Sequence, residues 1–437
     1  MKELEYPFDA AYIIKKRKSL KKALLADGTS RIRKKIAVFG GSTTSDIVKT
    51  LELFLLDAGI EPEFYESEYA QYFQDAMFPD ETLLSFKPDI VFIHTTNRNV
   101  TDWPEMTDTT EQIDEKLHTE INRFTAMWKS IAEKFHCPII QNNFEMPLYR
   151  LLGSRDAWDI HGRTNFLTRL NEAFYAYARE NESFYIHDLN FVSADYGLKE
   201  WSNPLFWNMY KYAMCFEAIP SFAFSVSHII KSIFGKNKKA LALDLDNTLW
   251  GGVVGDDGVD GIEIGQETGV SQSYYEFQTY VKQLKSLGIV LTVCSKNDHE
   301  NAIAGLNHPE GALRPDDFVI IKANWENKDR NIAETAAELN ILPDSIVFAD
   351  DNPAEREIVR TQIKGAAVPD MDGVENYITT IDRSGFFEVT TFSEDDLKRN
   401  EMYKKNALRA AEMASFGDYN DYLKSLEMHA VIDDFIP

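Results

Sequence analysis

Lys239-Ala240-Leu241-Ala242-Leu243-Asp244-Leu245-Asp246-Asn247-Thr248-Leu249-Trp250-Gly251-Gly252 is the stretch that decides the reading of this chain. Its apolar run is too short for a helix and ends abruptly in two aspartates, a threonine and a pair of glycines. That pattern predicts a buried parallel strand whose last residues reach the carboxyl edge of an open sheet, where α/β proteins place their ligands. One residue separates Asp244 from Asp246, so in an extended chain both side chains point the same way. Two adjacent carboxylates repel, and they tolerate each other best around a cation or a shared proton. A Mg²⁺ site is the natural expectation.

Three further stations lie downstream. Thr292-Val293-Cys294-Ser295-Lys296-Asn297-Asp298 is a β-rich run ending in Ser295, with Asn297 or Asp298 placed to cap the next helix. A hydroxyl and free backbone N–H groups at a helix start suit phosphate oxygens. In Trp325-Glu326-Asn327-Lys328-Asp329, Lys328 opens a helix, where a cation is unfavourable beside the positive end of the macrodipole unless it reaches an anion. Ile346-Val347-Phe348-Ala349-Asp350-Asp351-Asn352-Pro353 is another buried strand ending in paired acids, and Pro353 suits the first turn of a helix. Asp350 would complete a Mg²⁺ shell; Asp351 would ligate directly or orient water. Each interval holds about one strand–helix unit, so all four stations should fall on one edge of one sheet.

The rest of the chain sets the frame. With 437 residues it has room for two or three domains. A composition of 44% hydrophobic and 27% charged residues is that of an ordinary globular protein. A net charge of −24 argues against a general nucleic-acid binder. Cys137, Cys215 and Cys294 are far apart and form no CxxC pair, which favours a reducing cytoplasm. Met1-Lys2-Glu3-Leu4-Glu5 is no signal peptide and no apolar run reaches membrane-spanning length, so a cytoplasmic protein without membrane contact is expected. Residues 10–35 concentrate base, as a docking face for an acidic partner would, or simply a solvated helix face.

Before residue 235 the chain already reads as strands alternating with helices. Strands are expected at 36–39, 88–94 and 138–143, and a long helical pattern at 111–135. Residues 203–233, rich in aromatics, read as helical and as an interdomain surface, and the basic Gly-containing break at 234–239 reads as the boundary. The alternation restarts with strands at 240–244, 289–294, 318–321, 346–349 and 365–368. Helices are expected at 273–287, 298–306, 329–339 and 353–362, then charged helices at 393–413 and 419–428.

The DxDxT motif at Asp244 resembles the nucleophile motif of haloacid dehalogenase-type (HAD) phosphatases. The longer DLDNTLWGGVVGDDG is similar to the FkbH-like branch of that superfamily, subfamily IIIC. The first strand with Gly40-Gly41-Ser42-Thr43 resembles the opening of SGNH-type hydrolases, as does the amino-terminal part of FkbH-like proteins. The resemblance implies two Rossmann-like parallel-sheet domains, a degenerate SGNH-like one at 1–235 and a capless HAD-like one at 236–380, followed by a helical extension at 381–437. The first is expected to be non-catalytic. Ser42 has no late Asp-x-x-His to serve it, and His187-Asp188 has the wrong order and spacing. In longer relatives an acetyltransferase-like domain follows, and this chain stops where it would begin, as a truncated or naturally short member would.

For the second domain the resemblance implies Asp244 as nucleophile, Asp246 as general acid and base, and Ser295 and Lys328 as phosphate-binding catalytic partners. Leu245 and Lys296 join them as phosphate contacts. Mg²⁺ falls to the Asp244 carboxylate, the Asp246 carbonyl and Asp350, with Thr248, Asp351 and Asn352 in support. With only a short Gly-rich flap at 251–272 and no room for a lid before Lys328, the site should be open to large substrates or closed by a partner. The expected activity is a Mg²⁺-dependent phosphatase acting on a phosphorylated small molecule. The FkbH-like alternative takes a glyceryl unit from 1,3-bisphosphoglycerate and passes it to an acyl carrier protein. Cys294 resembles the family's cysteine and is the candidate acyl acceptor, unless it is a plain buried strand cysteine. A non-catalytic scaffold is the third reading.

Overall fold

The computed structural model describes residues 1–415; the helix expected at 419–428 lies outside them. The chain divides into two compact units, Met1–Lys236 and Asn237–Pro437. Both are α/β, and every strand pairing within their sheets is parallel. None of the described helices is long and apolar enough to cross a membrane.

The first unit has five strands, β1 (Ile32–Gly40), β2 (Ile60–Glu66), β3 (Ile90–His94), β4 (Ile139–Asn142) and β5 (Phe184–His187), in the order β2-β1-β3-β4-β5. Strand order reverses between β1 and β3, which opens a crevice at their carboxyl ends. Alternation sorts the strands into two faces. Ile36, Val38, Ile90 and Phe92 join one core, while Ala37, Phe39, Val91 and Ile93 join the other. The edge strand β2 escapes a hydrophobicity reading because Glu61, Pro62, Glu63 and Glu66 interrupt it. Acids and a proline are what an edge tolerates and a central strand does not.

Residues 203–233 hold the helices Pro204–Tyr210 and Ile219–Ile233, as expected. The helix Ile219–Ile233 lies against the helix Ser45–Asp57 in the first unit's own core, where Phe222, Val226 and Ile230 meet Leu51, Phe54 and Leu55. Burying a phenylalanine completely, as at Phe222, contributes roughly 1.5–3 kcal/mol by transfer from water. That gain is made within one unit for Phe222, while Tyr210 in the helix Pro204–Tyr210 stays 53% exposed.

The second unit has four strands, β6 (Ala240–Leu243), β7 (Val290–Ser295), β8 (Ile320–Ala323) and β9 (Ile346–Ala349), in the order β8-β7-β6-β9. Helices Gly269–Ser286, His299–Leu306, Lys328–Glu338 and Pro353–Gln362 alternate with them. The strand expected at 365–368 is reduced to an isolated bridge, Val347 to Ala367, held by two backbone hydrogen bonds of 2.8 and 3.0 Å. Between β6 and the helix Gly269–Ser286 stand one turn of α-helix, Val254–Asp257, and a 3-10 turn, with no added domain among these residues. A further helix, Glu394–Ser415, runs into the region expected to be a helical extension.

Candidate active site

Register brings the strand-terminal acids together. Leu243 pairs with Ala349, so the next residues along β6 and β9, Asp244 and Asp350, emerge side by side. Both are buried, Asp350 completely. Carboxylate oxygens of Asp244, Asp350 and Asp351 lie within 4.8 Å of one another. Between the first two sits the ammonium of Lys328, from the opening residue of its helix. Its Nζ is 2.8 Å from Asp244 Oδ2 and 2.5 Å from Asp350 Oδ2. Burial alone disfavours this cation, yet the two carboxylates hold its pKa well above that of an ordinary lysine. The same packing acts on the acids. Burial, and then the charge of Asp244, push Asp350 up to about 6 against the pull of Lys328.

The supporting bonds are local. Asn352 donates its backbone N–H to Asp350 Oδ1 at 2.8 Å, and its own side chain accepts from Ala354 N to cap the helix Pro353–Gln362. The Asp351 N–H donates to Thr248 Oγ1 at 3.1 Å, and the Thr248 hydroxyl faces Asp351 Oδ1 at 3.4 Å. Asp244 Oδ1 has no partner although it is buried.

Asp246 is arranged differently from its neighbour. Its carboxylate is outside the cluster of three. Oδ1 accepts from Trp250 Nε1 (2.9 Å) and from Val254 N (3.0 Å), and Oδ2 accepts from Asn297 Nδ2 (2.9 Å). Alternation along an extended chain no longer applies here, because β6 ends at Leu243 and Asn247 has turned to φ 56°. Burial raises the Asp246 pKa, and the charge of Asp244 adds to the rise.

On β7, Ser295 is the last strand residue and is buried. Lys296 turns its ammonium to Glu355 Oε1 at 2.7 Å. Leu245 is fully buried. Cys294 faces the opposite layer, in a core with Ala242, Ile332 and Phe348, and its thiol donates to the Lys328 carbonyl at 3.6 Å. Burial pushes that thiol far above its ordinary pKa despite the nearby Lys328.

In the first unit, Ser42 is buried with its hydroxyl unpartnered. The histidines at the strand ends serve another chain of contacts. Asn142 joins His94 Nδ1 (2.8 Å) to His187 Nδ1 (2.9 Å), and His187 Nε2 meets Ser225 Oγ at 3.1 Å. Burial lowers both histidine pKa values to about 3.

Residues 35–231 match the family described as FkbH, N-terminal domain. The N-terminal part of a Bacteroides fragilis protein, containing a phosphatase domain and solved in complex with Mg, is 30% identical to this chain. It superposes with a TM-score of 0.78, and the match covers 86% of this chain and 99% of that one. The chain belongs to the FkbH-like HAD proteins. A search of curated proteins gave no match. Tagatose-6-phosphate ketose/aldose isomerase from Escherichia coli also aligns, over 87% of this chain and 88% of that one. At 10% identity and a TM-score of 0.20 it carries no argument.

This FkbH-like protein is therefore phosphatase-related in general character. Its donor set suits a hard divalent cation, with three carboxylates in reach of one another and one buried oxygen without a partner. Trp250, Val254 and Asn297 hold Asp246, and the local sequence pattern marks neither Trp250 nor Val254 for that role. Asn297 had a visible signal, a polar residue just past a strand end, but it read as a helix cap. Of the two expected cap positions, the N-cap of His299–Leu306 falls at Asp298, which makes no side-chain capping bond and accepts from Trp325 Nε1 at 2.8 Å.

Proposed function

We propose that the second unit is a Mg²⁺-dependent phosphatase working through an aspartyl-phosphate on Asp244. The observation that carries this reading is the buried Lys328 ammonium set between Asp244 and Asp350, with Asp244 Oδ1 left free beside it. The free oxygen of Asp244 attacks phosphorus as the ester oxygen leaves. Asp246, held by Trp250, Val254 and Asn297 with its pKa raised, gives its proton to that leaving oxygen. In the second half-reaction Asp246 takes a proton from water as the water attacks the phosphoaspartate, returning both side chains to their starting states. Lys328 and Ser295 balance the negative charge of the transferring group. When bound, Mg²⁺ would rest on the carboxylates of Asp244 and Asp350, the Asp246 carbonyl and the adjoining Asp351, and would supply electrostatic stabilisation of the phosphoryl oxygens. Thr248 and Asn352 keep Asp351 and Asp350 in place. The pairing of Lys296 with Glu355 argues against a direct phosphate contact from Lys296.

The substrate in this reading is a phosphorylated small molecule, and the first unit is non-catalytic. Glyceryl transfer from 1,3-bisphosphoglycerate to an acyl carrier protein remains the second activity that the family suggests. The buried, hydrogen-bonded thiol of Cys294 speaks for a place in the core and against acyl transfer through that residue. Turnover of p-nitrophenyl phosphate, with Mg²⁺ and with EDTA, tests the proposal directly. Activity should require the metal and vanish in Asp244→Asn. Residual turnover within about tenfold of wild type would reject Asp244 as the nucleophile.

A further inference from the structure

At the carboxyl edge of the first unit's sheet, the loops leaving β3 and β4 and residues 201–213 enclose a cavity of about 480 Å³. That volume falls in the range of small-molecule sites, and the edge is where doubly wound sheets bind ligands. We propose that this cavity binds a small organic oxyanion, a carboxylate or phosphate carried on a flat apolar body.

Two cations line it. The Arg98 guanidinium lies over the Trp207 ring, 5.1 Å from its centroid. Arg163 lies over Trp103 at 4.8 Å and Tyr149 at 5.5 Å, and its Nη1 donates to the Tyr149 hydroxyl at 3.0 Å. Among the described residues neither arginine has a carboxylate within ion-pair distance, in a chain with 70 acidic residues against 46 basic ones. Guanidinium groups resting on aromatic faces keep in-plane N–H donors for a planar oxyanion, which they bind in bidentate fashion. Tyr149 is 60% exposed and Trp103 and Trp207 are partly exposed, so an apolar body has flat partners beside the cations.

The third polar group of the wall is Glu145, only 3% exposed, whose carboxylate accepts from the Asn97 N–H at 3.1 Å. Burial pushes this carboxyl up to about 8, against the pull of the Asn97 N–H and the Arg98 charge. That rise favours the uncharged acid, which does not repel an anion. No hydrolysis is implied, because Ser42 has no histidine partner to activate it.

Titration calorimetry of the full chain with phenylphosphonate and with benzoate, and with benzyl alcohol as the neutral control, tests the proposal. At least one oxyanion should bind at least about tenfold more tightly than benzyl alcohol, and which one does so tells phosphate recognition from carboxylate recognition. Arg98→Gln and Arg163→Gln should each weaken that binding by at least about tenfold. Turnover of p-nitrophenyl phosphate should be unchanged in both variants, and their circular dichroism and thermal unfolding should match the wild type, which checks that the first unit is folded. Failure of both oxyanions to bind would overturn the proposal. So would binding preserved in both variants, the result expected if the phosphonate occupied only Ser295 and Lys328.

Discussion

Replacing Lys328 with methionine keeps most of the side-chain volume and removes one buried charge. In the native protein that charge is 2.8 Å from Asp244 and 2.5 Å from Asp350, and all three side chains are largely shielded from water. The substitution leaves two neighbouring buried carboxylates with no cation between them. Breaking a buried ion pair from one side costs about 3–5 kcal/mol, most of it the uncompensated charge left behind. For a unit of this size each kcal/mol moves the melting temperature by roughly 2–4 °C, so the second unit should melt some ~6–20 °C lower in EDTA. Calorimetric scans of the wild type and Lys328→Met measure this. A second substitution isolates the cause: adding Asp350→Asn removes one of the stranded charges and should recover part of the loss. A drop below about 1 kcal/mol, or a double variant less stable than Lys328→Met, would refute the reasoning, since neither fits a cation that neutralises this acidic pair.

Asp246→Asn should slow turnover by about 10²–10⁴-fold for an alkyl phosphate, less for p-nitrophenyl phosphate, whose leaving group needs no proton; equal rates to wild type on both substrates would remove Asp246 as the acid. Glu145 predicts a pH dependence in the first unit. Its carboxyl ionises near 4.5 when unfolded and about 8 when folded, so the native state holds the extra proton between those values and stability falls as pH rises through that window. Glu145→Gln should remove this slope and, above pH 8, exceed the wild type by a few kcal/mol or so in urea titrations; identical slopes would show that Glu145 is not buried as a neutral acid. Iodoacetamide should leave Cys294 unmodified in the native protein and label it on unfolding, by peptide mass spectrometry. Native-state labelling at the unfolded rate would reopen Cys294 as an acyl acceptor.

Much of the second unit is legible because buried parallel strands are short continuous apolar runs, and a polar residue at the end of one has no packing role. Asp244, Ser295 and Asp350 stood out in this way, and Lys328 stood out as a cation at the wrong end of a helix. The resemblance then attached a chemistry to them. Edge strand β2 stayed hidden because an edge is paired on one side only and tolerates Glu61, Pro62 and Glu63. The run at 365–368 looked like a strand because local composition says nothing of whether a partner is free, and β9 gives it one bridge.

What the chain specified by itself was the alternation of strand and helix and the residues that end each strand, since both follow from the local pattern of apolar and polar side chains. Only tertiary structure decided who meets whom. The order β8-β7-β6-β9 seats Asp350 beside Asp244 across more than a hundred residues of chain. The turn after Leu243 carries the Asp246 carboxylate onto Trp250, Val254 and Asn297. The first unit's own core takes the aromatic helix Ile219–Ile233, and two arginines from separate elements, the turn Asn97–Asn99 and the start of the helix Arg163–Glu180, line one cavity. These are long-range pairings, fixed by how whole elements bury their faces against one another, and no local stretch of sequence contains them.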